Sequence, residues 1–223
     1  MARRYGVRVA LGVLRSGEPH EPDFAVLAGL GERGVLLDLG AHAGQSAASC
    51  LAVRPGWRVL SIEADPAMRW PLAAVAVALR GRMRFRMVGV GAQAGERVLC
   101  VPTCRGERIE GEATFDEAGL HEDPETAARL RRLGWDGTQR VRVPVTTVDA
   151  LGVRPTAIKL DLQGGELAAL QGARDTLRAC RPLVLMENNR RSPEVAALLE
   201  GLGYRREGRF EDLNVVFRAS ATS

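Results

Sequence analysis

The chain has 223 residues, 46% of them hydrophobic and 26% charged, with a formal net charge of +4. That composition suits one globular domain of generous size and excludes disordered, collagenous and fibrous classes. No apolar run reaches the roughly 18–20 residues that a membrane span requires. The longest, at 72–79, falls far short.

Arg8 interrupts the apolar stretch at 1–14 and no cleavage site follows it, so no signal peptide is expected and the expected location is cytoplasmic. Lys159 is the one lysine; every other basic residue is an arginine. The arginines are scattered, and aromatic residues make up only 4% of the chain. A nucleic-acid groove would cluster its cations and interleave them with stacking rings, so no nucleic-acid partner is expected, and no membrane partner either. Cys50, Cys100, Cys104 and Cys180 form neither a disulfide framework nor a zinc motif, and His20, His42 and His121 lie far apart. No metal is expected.

Residues 1–34 read as an N-terminal appendage, 35–217 as one α/β domain and 218–223 as a tail. The apolar run at 34–39 suits a strand buried on both faces. A small-residue helix at 43–53 stops before Pro55, and a second strand follows at 58–62. Asp65 caps a helix that has Pro66 at its first position and runs to 79; the third strand is read at 83–90. The stretches at 96–101 and 140–146 read as an antiparallel pair outside the parallel core.

Residues 102–140 form an inserted flap, with eight acids and one arginine at 107–126. Asp123, Pro124 and Glu125 open a helix there that Arg131 and Arg132 close before Gly134. An acidic surface flap and a lid over a positively charged substrate are both open readings. The alternation then resumes with a strand at 156–162, a helix at 166–177, a strand at 183–187 and a helix from Ser192 to Gly201 or Gly203. A closing antiparallel pair is read at 204–206 and 214–217.

Such alternation predicts a mostly parallel sheet with ligands gathered at the carboxyl ends of its strands. There Asp38, Gly40, Ala41, His42, Gly44 and Gln45 form a small-residue turn into a helix, and Glu63 ends the next strand about 20 residues on. A carboxylate at that position can accept both hydroxyls of a ribose. His42 stands where a dinucleotide turn needs its middle glycine, and Asp38 would repel a diphosphate but suit the amino group of S-adenosylmethionine. The spacing favours that cofactor and leaves an NAD-like dinucleotide open. In the second constellation, 158–166, Lys159, Asp161 and Gln163 share one strand face by period two. Asp161 is the candidate for receiving or orienting a substrate proton. A structural ion pair with Lys159 is the competing reading.

The strings LDLGAHAGQ at 37–45, IEADP at 62–66, VTTVDAL at 145–151, IKLDLQGGE at 158–166 and LQGA at 170–173 resemble the FkbM family of methyltransferases. RPLVLME at 181–187 and GLGY at 201–204 continue the match in order. The resemblance implies a Rossmann-like class I methyltransferase fold with a seven-stranded sheet, to which the antiparallel closing strand and the inserted flap read above are added. It implies S-adenosyl-L-methionine as cofactor and O-methylation of a hydroxylated small molecule such as a sugar, peptide, polyketide or other secondary metabolite. By position, Asp38, Gly40, Ala41, His42, Gly44 and Gln45 would surround the methionine part and Glu63 would hold the ribose. Ala64 and Asp65 would lie near the adenosine, and Val88 and Gly89 by the adenine. Asp161 would stand at the reaction centre with Lys159, and Gln163, Glu166, Glu187 and Asn188 on the acceptor side. The family usually has Asn at His42, Glu at Gln163 and Ala at Gly165; Gln163 removes a negative charge beside the proposed reaction centre. Rival readings are a nucleic-acid methyltransferase, for which the Asn/Asp-Pro-Pro-Tyr/Phe motif is missing, and a module that binds the cofactor without turnover.

Overall fold

The computed structural model describes residues 5–188, 192–210 and 214–220. The chain opens on helix α1 (Tyr5–Ser16) and a 3-10 segment, Pro22–Gly29. Strand β1 (Val35–Leu39), helix α2 (Gln45–Val53), strand β2 (Arg58–Glu63), helix α3 (Arg69–Ala78) and strand β3 (Met83–Met87) follow. A second group interrupts the alternation: β4 (Gly89–Val90), β5 (Gly95–Cys104), β6 (Glu107–Arg108), helices α4 (Glu117–Glu122) and α5 (Pro124–Arg132), and β7 (Gly137–Thr146). Then come β8 (Ala157–Leu160), α6 (Glu166–Gln171), α7 (Arg174–Cys180), β9 (Leu183–Glu187), α8 (Ser192–Gly201), β10 (Tyr204–Phe210) and β11 (Asn214–Ala219).

Seven strands form one sheet in the order β3-β2-β1-β8-β9-β11-β10, parallel except where β11 enters antiparallel to β9 and β10. β4, β7, β5 and β6 make a separate four-stranded sheet, so the inserted flap has a β-framework of its own. Strand order reverses between β1 and β8, which opens a crevice above their carboxyl ends. Period two divides the central strands cleanly. Leu36, Val59 and Ala157 face a cluster that includes Leu51 and Val75 of α2 and α3. Leu37, Ile158 and Val184 face Leu170, Leu177 and Leu199 on the other side. Among the described residues no helix is long and apolar enough to cross a membrane.

The N-terminal residues, expected as an appendage, are part of the first helical layer. Phe24 and Leu27 are buried with Leu36 and Trp57, and α1 packs on α2 and α3. Asn214 of β11 donates to the Asp23 carboxylate, and Trp57 Nε1 donates to the Gly31 carbonyl at 2.8 Å. At the other end, Arg218 and Ala219, expected as tail, continue β11.

Three elements differ from their sequence reading. The strand at 83–90 splits at Val88: β2 ends at Glu63 opposite Met87, so Gly89 and Val90 pair instead with Val145 and Thr146. The helix at 166–177 divides at Gly172, where a Cβ would lie 2.2 Å from the Gly91 carbonyl oxygen. Asp149 starts the second half by accepting the Thr176 amide at 2.8 Å. Helix α4, capped by Asp116 through the Gly119 amide at 3.0 Å, is an addition within the flap.

If the N-terminal segment is core, Phe24→Ala should lower the unfolding free energy by about 3–5 kcal/mol, as deletion of a buried phenylalanine does. Urea denaturation followed by circular dichroism reads this directly. A loss below about 0.5 kcal/mol, the level of a surface substitution, would return the segment to the status of an appendage.

Candidate active site

A polar row crosses the sheet beneath the crevice. Asp38 of β1 stands beside Ser61 of β2 and Lys159 of β8 in register, all three on the face that otherwise carries Leu36 and Ala157. Ser61 Oγ donates to Asp38 Oδ2 at 2.8 Å, while Asp38 Oδ1 has no hydrogen-bond partner among the described residues. Burial raises the Asp38 carboxyl above its ordinary range, against the pull of Lys159. Lys159 is itself only 6% exposed. Burial disfavours its charge, but the carboxylates of Asp161, Asp38 and Glu21 outweigh that and hold the ammonium above its usual value.

Above this row runs the glycine loop. Gly40 has φ +84°, and a Cβ there would lie 1.8 Å from the Asp161 carbonyl oxygen, so no other residue fits between β1 and β8. Gly44, at φ +90°, turns the loop into α2. Glu63 clamps the loop: Oε2 accepts the His42 amide and Oε1 the Asp65 amide, each at 2.7 Å. Burial pushes this carboxyl up to about 7, and the two amides only partly offset it. Gln45 Nε2 donates to His42 Nδ1 at 3.1 Å, which leaves Nε2 facing Glu110 Oε2 at 3.9 Å. Asp65 caps the short 3-10 turn Pro66–Met68 and pairs with Arg108 Nη2 at 2.9 Å.

Asp161, just past β8, is the meeting point of the cluster. Its Oδ2 takes Lys159 Nζ at 3.0 Å and its Oδ1 takes Gln163 Nε2 at 3.0 Å. Gln163 sits at φ +49° and reaches Glu187 Oε2 at 3.3 Å with the same amide nitrogen. Arg129 of α5 fixes the amide's orientation by donating to Gln163 Oε1 at 3.0 Å, and also donates to Glu112 Oε2 at 2.8 Å. Burial opposes ionisation of Asp161, but the Lys159 ammonium and the donors around it prevail and lower the carboxyl. Glu187 moves the other way: burial and the Asp161 charge push it up to about 8.

A cavity of about 1170 Å³ brings Gly40, Ala41, His42 and Gln45 together with Glu63, Ala64, Asp65, Lys159, Asp161 and Gln163. Asp38 and Gly44 support its floor without lining it. Val88 and Gly89 also lie outside it, and a Cβ on Gly89 would meet the Phe115 ring at 2.6 Å. Glu166 is buried and accepts the Leu162 amide at 2.8 Å, holding the turn after β8. Glu187 and Asn188 border a second cavity of about 500 Å³, which shares Gln163 and Thr114 with the first. The far walls come from the N-terminal segment and the flap, which the sequence pointed to as whole segments with His20 the one residue singled out: Val9, His20 and Glu21, then Leu99 and Val101 of β5, and Arg108, Glu110 and Phe115 of the flap. His20 is held by Ser49 Oγ at 2.6 Å from Nδ1 and faces Glu21 Oε1 at 3.3 Å from Nε2. Of the rest, only Leu99 and Val101 left a local signal, an alternating pair on a β-rich stretch.

Residues 38–206, well over half of the chain, match the family model described as the methyltransferase FkbM domain. Among solved structures, the chain resembles the methyltransferase FkbM from Methylobacillus flagellatus KT, with 20% identity and a TM-score of 0.58. That likeness covers 94% of this chain and 52% of the other, so this chain spans about half the length of that protein. A putative rRNA-methylase from Clostridium thermocellum (10% identity, 91% of this chain and 97% of the other) and a putative tRNA (m1A22) methyltransferase from Streptococcus pneumoniae (12%, 91% and 72%) both align with a TM-score of 0.50. At these identities the likenesses establish the fold alone. No curated protein sequence matches the chain.

The raised Glu187 carboxyl has a thermodynamic consequence. A group whose folded pKa lies above its unfolded value contributes stability below the unfolded value and loses it as pH rises through the folded one. The stability of the wild type relative to Glu187→Gln should therefore fall between pH 4.5 and about 8, then level off. Urea denaturation of both proteins across that window tests it; a constant difference would mean that Glu187 titrates as an ordinary carboxylate.

Proposed function

The chain belongs to the FkbM family of methyltransferases, and on that premise we propose that it carries a methyl group from S-adenosylmethionine to a hydroxyl of a small molecule. The observation that carries this reading is one cavity that joins the glycine loop, the Glu63 carboxylate and the Asp161 carboxylate. The family generally uses S-adenosylmethionine, and three features of the cavity fit that molecule. Gly40 lets the loop backbone line the cavity while packing directly against the Asp161 carbonyl. Glu63 keeps a lone pair on each oxygen beyond the amide it accepts, which suits two vicinal hydroxyls. The buried Asp38 carboxylate beneath the loop, with one oxygen unbonded, adds negative potential under a cationic ligand.

Bound there, the cofactor supplies a methyl group on a positive sulfonium, and its displacement by oxygen leaves a neutral thioether. The protein's contribution is alignment, since holding the two reactants in line converts a bimolecular step into an effectively unimolecular one. Asp161 accepts the acceptor's hydroxyl hydrogen on lone pairs that Lys159 and Gln163 leave open, and takes the proton as the oxygen–carbon bond forms. Its lowered pKa makes it a weak base, which suffices because the oxygen becomes strongly acidic as it is alkylated. Glu187, pushed up to about 8 across the Gln163 amide, holds its own proton near neutral pH and so leaves Asp161 as the anion of the pair. Gln163, Glu187 and Asn188 face the acceptor from the second cavity. The enclosure of the large cavity by the flap, through Arg108 to Asp65, favours a small acceptor over a nucleic-acid strand.

The wild-type chain should bind S-adenosylmethionine and its thioether product in a calorimetric titration. Glu63→Ala should weaken that binding by about tenfold or more, the weight of hydrogen bonds to a charged group. Asp161→Ala should keep cofactor affinity within a few-fold and lose about 100-fold or more in turnover, followed as thioether release with a panel of hydroxylated metabolites. Undiminished turnover in Asp161→Ala would remove the assignment.

A further inference from the structure

Arginine is spread along the sequence, but the fold gathers four arginines at one edge of the main sheet. β3 ends the strand order, so its outer edge has no partner strand among the described residues. Met83, Phe85 and Met87 face the cluster beneath α3, which by period two turns Arg84 and Arg86 to the other face. On that face the second hydrophobic cluster reaches only to Leu60 and Ile62 of β2, which stand opposite Arg84 and Arg86 in register. Arg58, just before Val59, and Arg82, just before Met83, extend the row. Arg58, Arg84 and Arg86 are exposed, and none has a carboxylate at ion-pair distance among the described residues. Arg82 donates to the Pro55 carbonyl at 3.0 Å. The main chain of this edge is as open as its side chains. The Arg82 carbonyl accepts the Val59 amide at 2.9 Å, so Arg82, Arg84 and Arg86 bond toward β2. The amides and carbonyls of Met83, Phe85 and Met87 therefore point outward.

We propose that the β3 edge is a docking site for an acidic, extended segment of a partner protein, which joins the sheet as a further strand. Carboxylates on alternate residues of that segment meet Arg84 and Arg86, and the apolar residues between them lie beside Phe85 and Met87. Those two side chains are only partly buried because the sheet stops at β3, and a further strand completes their cover. The outward amides and carbonyls supply the ladder, as in other strand additions. Charge on a bare edge commonly guards it against unwanted pairing. Here the charge has one sign along the whole row, so it also sets the partner's chemistry. A second copy pairing antiparallel about Phe85 would place Arg84 of one chain against Arg86 of the other, and like charges directly opposite are destabilising. A nucleic-acid strand would meet the same cations but no stacking ring, since Phe85 turns to the opposite face. Docking there does not depend on which cofactor the large cavity takes. Glu63 stands opposite Met87 in register, so a segment laid along β3 ends level with a wall of that cavity. The partner is thereby held beside the candidate active site.

The probe is a fluorescein-labelled peptide of alternating glutamate and valine, about six residues long as strands usually are. Fluorescence anisotropy with the full chain should show saturable binding. Arg84→Glu combined with Arg86→Glu should weaken it by about tenfold or more, since two cross-strand attractions become repulsions. Arg142→Glu, at an exposed arginine of β7, should stay within about twofold. In the wild type the peptide should slow amide hydrogen exchange at Phe85 and Met87, whereas a peptide with its glutamates and valines in two blocks should not. Attraction of charge alone would slow neither amide, so this measurement decides the matter if the double variant does not melt cooperatively. Absence of saturable binding, unchanged affinity in the double variant, or unslowed exchange at both amides overturns the docking site. So does tighter, Arg84-dependent capture of a single-stranded oligonucleotide, which would make the row a nucleic-acid contact. A wild-type dimer that Arg84→Glu disperses would make it a self-association edge and overturn the proposal equally.

Discussion

Burying an ammonium at the end of a central strand costs several kcal/mol unless anions surround it, and Lys159 is surrounded by three. Asp38 reaches it from β1, Asp161 from the turn after β8, and Glu21 from the N-terminal segment. These come from separate parts of the chain, so the lysine's charge is satisfied only when the sheet is in register, the loop after β8 is in place and the first layer is packed. The arrangement also explains why residues 1–34 are not an appendage. Without the segment that carries Glu21, Phe24 and Leu27, the lysine would keep only two of its carboxylates and one face of β8 and β11 would lose its cover.

From Lys159 the same electrostatics pass outward to Glu187. The ammonium holds Asp161 ionised; the ionised Asp161 and burial together raise Glu187, which has no cation at bonding distance among the described residues. Two neighbouring carboxyls thus divide into an anion and an acid near neutral pH, the separation that acid–base chemistry uses. Gln163 makes the division possible in a space this small. Its nitrogen donates to both carboxyls and its oxygen accepts from Arg129, so the flap is wired to the two carboxyls by one side chain.

What the sequence made legible was local chemistry. Asp65 with Pro66 and Asp123 with Pro124 are cap signals whose meaning depends on a few neighbouring residues, and both start helical turns. The glycine loop was legible because Gly40 and Gly44 both take positive φ, a backbone requirement that glycine signals by itself. Breaks set by distant partners were not. Val88 splits a strand because β2 stops at Glu63, and Gly172 splits a helix because Gly91, 81 residues earlier in sequence, passes against it. For the same reason Phe115 and Arg108 were invisible as cavity walls. Their role comes from the way β5 and β7 fold the flap back over β2, and nothing within their own stretch encodes that.

The resemblance to FkbM methyltransferases puts a glutamate where this chain has Gln163, and the geometry gives the difference a physical content. A carboxylate there would still attract Arg129, but it would add a third carboxyl within bonding distance of Asp161 and Glu187, with Lys159 already shared between Asp161 and Asp38. One of the carboxyls would have to hold a proton between oxygens to keep the contacts, and the anion-and-acid division would pass to a set of three. The amide avoids this: it donates without titrating, and its oxygen suits the arginine as well as a carboxylate's would. At this position, then, the chain trades a charge for a fixed orientation. The charge that remains belongs to Asp161, and the lysine holds it there.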